Sequence, residues 1–231
     1  WKSSDRLKTM GVRMIDGGRV ECLWNPRFVD ALVPGGTQDQ MEKQIDCLMA
    51  VVQHEIEHVV RLHICRGQTY DPQVYNIACD MVVNGPKSHP RVPNLPQIPT
   101  FDDEGNQVDE GSPIFLPERG EGPDHDSTSE EIYEWLRKRQ KKQQGGGGSQ
   151  AGGKGKKKKK GDGDDNKGGK SGGNGVPGID GVTVDDHDIW NSSTVSKDEA
   201  RQVVKDMCNQ ATMSCGDTPG HLVDAIRELQ D

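Results

Sequence analysis

Between residues 38 and 65 apolar side chains recur at three- and four-residue steps: Met41, Ile45, Leu48, Met49, Val52, Ile56, Val59 and Val60. That period predicts a long helix over 38–65, ended by Gly67. Asp71 and Pro72 then read as N-cap and first residue of a second helix, "PQVYNIACDMVVN", which Gly85-Pro86 stops. Upstream, "RMI" and "VECLW" flank Asp16-Gly17-Gly18 and predict a β-hairpin over 10–24, with a loop through Pro34-Gly35-Gly36 after it. Residues 86–125, rich in Pro, Asp and Gly, read as loop. "STSEEIYEWLRKRQKK" is a third helix, with Ser129 as its cap and Ile132, Tyr133 and Leu136 on one face. "VTVDDHDIW" reads as a short strand or loop. Ser196 with Glu199 makes a capping box for a helix over about 197–212, and Thr218-Pro219 opens a last helix to about 230.

Composition limits how much of this can pack. Only 31% of the 231 residues are hydrophobic and 4% aromatic, against 29 Gly and 13 Pro. That is too little apolar material for the whole length, so part of the chain must be linker. The polar tract 144–176, Gly- and Lys-rich, fills that role. The chain therefore divides into a domain over 1–143, a flexible linker over 144–176, and a C-terminal helical part over 177–231 that packs on the same domain.

A net charge of −8 speaks against a nucleic-acid-binding face. The five-lysine run in the linker has Asp162, Asp164 and Asp165 beside it and reads as solvated. The six cysteines form no CxxC pair, so they are expected to be reduced, mostly buried thiols of a cytoplasmic protein. No signal peptide opens the sequence and no run of 18 apolar residues exists, so no membrane span is expected. The start at Trp1 reads as that of a fragment.

The chemistry concentrates in "HEIEH". His54 and His58 lie four apart, which on a helix puts both imidazoles on one face, one turn apart. Two imidazoles so placed can share one Zn²⁺, and Glu55 beside them can take a proton from a metal-activated water. The alternative is a surface helix with incidental histidines. The apolar neighbours Val51, Val52, Val59 and Val60 oppose it, because a buried histidine pair needs a partner.

A third ligand is needed. His63, five residues after His58 on one continuous helix, would point about 140° away, and reads as structural or as a C-terminal helix cation. On the second helix Asn76, Asp80 and Asn84 form an i, i+4, i+8 polar stripe. The short connection 66–71 lets the two helices pack antiparallel, so Asp80 is the expected third ligand, with Asn76 and Asn84 as supporting hydrogen-bond partners. A solvent-facing stripe is the other reading. His187, in "VDDHDIW", is a further candidate ligand or oxyanion donor, and Tyr70 and Tyr75 are candidates for the donor role. His89, His125 and His221 carry no signal.

"VVQHEIEHVVRLH", then "VYNIACDMVVNGP", then "DDHDIW" before two short helices, resembles the metallopeptidase domain of bacterial and phage proteins that often precedes a von Willebrand factor A-type domain. The resemblance covers most of 10–90 and, more weakly, 180–231. It implies a HExxH helix followed by an N-x-x-x-D helix, here His54, Glu55, His58, Asn76 and Asp80.

The expectation is an α+β, zincin-like, mainly helical fold with a small hairpin beside the HExxH helix. It would bind one Zn²⁺ and hydrolyse a peptide or protein substrate, with the strand "RVECLW" pairing with extended substrate. The alternative from another class is a non-enzymatic, metal-stabilised adaptor working with a von Willebrand A-type or ATPase partner. A nucleic-acid-binding role led by the lysine run would need binding that vanishes without residues 154–160.

Overall fold

Alternation and turn chemistry build the hairpin as expected. Strands β2 (Met10–Ile15) and β3 (Arg19–Trp24) pair antiparallel, with Val12 opposite Cys22 and Met14 opposite Val20. Gly17 and Gly18 close the turn at φ of 77° and 68°, a region that favours glycine. Met10, Val12 and Met14 are buried, while Arg13, from the opposite face of β2, holds Glu21 across the strands. A short parallel strand, β1 (Lys2–Ser3), pairs with Leu23 and Trp24. The sheet order is therefore β1-β3-β2. The strand expected to receive substrate is thus the middle one, flanked on both sides at Leu23 and Trp24.

The structure, a computed structural model, describes residues 1–32, 36–102, 104–144, 179, 181–184 and 187–215. The tract 145–176, Pro34-Gly35 and the last expected helix lie outside the described residues. Six helices and two small sheets make up the described part. None of these helices is long and apolar enough to cross a membrane.

Helices α1 (Pro26–Leu32) and α2 (Gln38–Val60) follow the hairpin. Thr37 and Gln40 form a reciprocal capping box at the start of α2. The apolar period of α2 divides into two parts. Ala50, Val51, Val59 and Val60 enter the core, whereas Met41, Ile45, Met49 and Ile56 are exposed. The first half of α2 leans on α1, where Gln44 donates to the Val29 carbonyl. The helix ends at Val60, earlier than its pattern suggests. Leu62 takes a left-handed conformation (φ 56°) and a new short helix, α3 (His63–Arg66), begins. Such a φ on a leucine costs roughly 1–2 kcal/mol; Leu62 is buried, which offsets it.

A 3₁₀ turn, Gly67–Thr69, leads to α4 (Pro72–Asn84), capped by Asp71, whose side chain accepts from the Val74 N–H. Residues 86–125 are not all loop: β4 (Ile98–Phe101) and β5 (Gln107–Gly111) form a two-stranded sheet. The side chains of β5 are mostly exposed, so it carries no alternation to read. Helix α5 (Ser129–Gln144) packs on α4 with Ile132 and Leu136 fully buried, each contributing about 1.5–3 kcal/mol of apolar burial. Its cap is Thr128, which exchanges hydrogen bonds with Glu131, rather than Ser129. A 3₁₀ turn, His187–Ser192, and α6 (Lys197–Cys215) complete the described chain. Trp190, Ala200 and Val204 join the same core as the hairpin and α4. Val203 on α6 lies against the turn glycine Gly18.

Five described cysteines are free thiols. Cys22 and Cys79 are buried, while Cys47, Cys65 and Cys208 are only partly so, which is less burial than expected.

Candidate metal centre

Helices α2 and α4 bring His54, His58 and Asp80 together. His54, His58 and Asp80 are all 0% exposed, and their ligand atoms converge. His58 Nε2 lies 3.0 Å from His54 Nε2, and Asp80 Oδ1 lies 3.5 Å from the first and 3.7 Å from the second. A zinc ion with nitrogen and oxygen ligands at about 2.0–2.1 Å in a tetrahedron would set ligand–ligand edges at about 3.3 Å. The three observed edges bracket that value, so the residues present fit a small divalent cation.

The outward-facing atoms of the two imidazoles are also specified. Asn84 Nδ2 donates to the Ile114 carbonyl at 2.7 Å, which leaves Oδ1 to accept from His54 Nδ1 at 2.8 Å. The proton of neutral His54 is thereby held at Nδ1, and the Nε2 lone pair faces the centre. Asp80 is oriented in the same way, since Oδ2 accepts from the Val184 N–H at 3.3 Å and Oδ1 is left toward the histidines.

His63 differs from its sequence reading. The break at Arg61–Leu62 swings it back, so that His63 Nδ1 lies 3.0 Å from His58 Nδ1 and His63 Nε2 lies 2.7 Å from Ser129 Oγ. It is neither remote nor a helix-terminal cation. Burial, with Arg61 and Arg66 nearby, holds its pKa well below the ordinary histidine value, so the ring is neutral. With a cation at His58 Nε2, protons in this chain would run outward, from His58 Nδ1 to His63 and from His63 Nε2 to Ser129. Ser129 thus supports the site instead of capping its helix.

Glu55 is buried beside His54. It lines a cavity of about 130 Å³ with Val12, Val20 and Cys22 of the hairpin. Burial, and then the Glu55 charge, push the Cys22 thiol up to about 12. The hairpin therefore borders Glu55, even though β3 is not an open edge.

His187 is brought in from far along the sequence: its Nε2 lies 3.3 Å from Asp80 Oδ1. Its ring lies 4.0 Å from that of Trp190 and 4.9 Å from that of His58. Asn76 does not join Asn84 behind His54, His58 and Asp80. It lines a cavity of about 330 Å³ with Tyr70, Tyr75, His187 and Trp190, and makes no side-chain hydrogen bond among the described residues. Tyr75 stacks on Tyr70 at 4.9 Å. Burial, with Cys79 alongside, raises its phenol pKa strongly. His89 and His125 stand in the loop region away from this cluster, and His221 lies outside the described residues.

No curated protein and no solved structure matches the chain. A family model described as "Putative metallopeptidase domain" matches residues 5–230, taking in the hairpin, helices α2 and α4, His187 and α6. The chain belongs to that family.

Proposed function

We propose that the protein is a zinc-dependent peptide hydrolase of zincin type, with His54, His58 and Asp80 holding the ion and Glu55 acting as general base. The observation that carries this reading is the convergence of two Nε2 atoms and one carboxylate oxygen at edges of 3.0, 3.5 and 3.7 Å inside the buried core. Bound there, a divalent ion would polarise a scissile carbonyl and lower the pKa of water. Asn84 keeps His54 in the ligating tautomer, and His63 with Ser129 does the same for His58. Glu55, kept from bulk water, accepts the proton of the attacking water and passes it to the leaving amine. The substrate is a peptide or protein, and a von Willebrand A-type or ATPase partner would act through the surface outside this core. The free thiols favour a cytoplasmic setting.

The test is Glu55→Gln. Hydrolysis of an unfolded protein substrate should fall by about 10²–10⁴-fold while bound metal, measured by plasma emission, stays unchanged. Full activity in that variant would refute the assigned base.

A further inference from the structure

The cavity of about 330 Å³ beside the candidate centre has no part in the three-ligand chemistry. Its inner wall adjoins that centre. His187 stands in this wall with Nε2 3.3 Å from Asp80 Oδ1, and the Trp190 ring next to it lies 5.2 Å from that of His58. The mutually close donor atoms belong to His54, His58 and Asp80, so His187 is a wall residue outside that group. Ile64, Tyr75 and Trp190 are buried members of the lining, while Pro72 and Asn191 are exposed. The lining therefore runs from solvent to the side chains that surround the centre.

Size and chemistry narrow what this space can hold. The cavity that borders Glu55 has about 130 Å³, below the roughly 300–1,000 Å³ of ordinary ligand pockets. The larger one falls at the lower end of that range and suits one large side chain. Tyr70 and Tyr75 stack at 4.9 Å with 12° between their planes, and Trp190 adds a third aromatic ring. Such surfaces favour another ring through offset-stacked or edge-to-face contact. Among the described residues, no Asp, Glu, Lys or Arg lines the cavity. A charged side chain would shed water there and meet no opposite charge. The amides of Asn76 and Asn191 make no side-chain hydrogen bond among the described residues, which leaves them for a peptide backbone or a phenolic hydroxyl.

We propose that this cavity seats a neutral aromatic side chain of the peptide substrate, next to the bond that is cut; this rests on the hydrolase reading above. The cavity thereby sets specificity, accepting Phe, Tyr or Trp and refusing Asp, Glu, Lys or Arg.

The test uses the full chain as its Glu55→Gln variant, loaded with zinc, so that the probes survive. Acetylated, amidated alanine pentapeptides with Phe, Glu or Lys at the centre are titrated and followed by heteronuclear NMR. The Phe peptide should bind at least about tenfold more tightly than the other two and should move the indole N–H signal of Trp190. Asn191→Trp, placed at the exposed rim, should fill the cavity and abolish that preference. Asn76→Asp, of nearly the same shape, should turn the preference toward the Lys peptide, a gain that misfolding cannot produce. In parallel, wild type should cut an unfolded protein chiefly beside Phe, Tyr and Trp, as read by mass spectrometry. Equal affinity for the three peptides, an unaltered preference in both cavity variants, or cuts scattered without regard to aromatic residues would overturn the pocket; hydrolysis itself would still uphold the hydrolase reading. Aromatic-selective binding that the two variants alter, with no hydrolysis by wild type, would uphold the pocket and overturn the hydrolase reading.

Discussion

Asn84→Ala probes the support of the proposed centre without touching His54, His58 or Asp80. The amide makes two buried hydrogen bonds, to His54 Nδ1 at 2.8 Å and to the Ile114 carbonyl at 2.7 Å. Removing it leaves an imidazole N–H and a carbonyl to find other partners, at about 1–3 kcal/mol each. A water entering the vacated space would recover part of that loss, so a net destabilisation of about 2–3 kcal/mol is expected. For a domain of this size that corresponds to a fall in Tm of about 4–12 °C. His54 also loses the group that fixes its tautomer, so metal affinity should weaken by about 10–100-fold. Differential scanning calorimetry of chelated protein reads the first effect, and competition with a chromophoric chelator reads the second. A variant as stable as wild type, with undiminished metal affinity, would show that Asn84 does not orient His54.

Further predictions follow from the fold around the site. Gly17→Ala should cost about 1 kcal/mol through its positive φ alone, since an added Cβ there meets no atom within 4 Å. Gly18→Ala should cost clearly more by chemical denaturation, because its Cβ would come within 2.6 Å of Val203 on α6; equal costs would refute the packing of α6 against the hairpin. His63 has a folded pKa below its unfolded value near 6.5, so below that pH the unfolded chain takes up a proton that the folded one refuses. Stability of the chelated protein should therefore decline as pH falls through about 6.5. His63→Asn should lower the slope by up to about 1.4 kcal/mol per pH unit, and an unchanged slope in denaturation midpoints would contradict a buried neutral His63.

The centre was legible in the sequence where helix periodicity governs it. His54 and His58 share a face by their spacing of four, and Asp80 meets them because a short connection brings α4 back along α2. Asn84 was readable as a partner for the same reason, and Asn76 was not, since it faces a cavity instead. His63 was misplaced because the break depends on a leucine at positive φ, with neither glycine nor proline to announce it. Ser129 looked like a cap, but its hydroxyl is committed to His63 across 66 residues of chain. His187 could be nominated but not placed, because no local period links it to Asp80, more than a hundred residues earlier. The small sheet of β4 and β5 escaped because β4 is short and β5 is mostly exposed, with no alternation to read.

Metal analysis of purified wild type beside Asp80→Ala addresses the central claim most directly. Asp80 is buried among three imidazoles at 3.3–3.7 Å. Wild type should carry about one divalent ion, zinc foremost, per chain after gel filtration. The variant, checked for folding by circular dichroism, should carry almost none. Equal metal content in the two proteins, or none in wild type, would contradict the assignment.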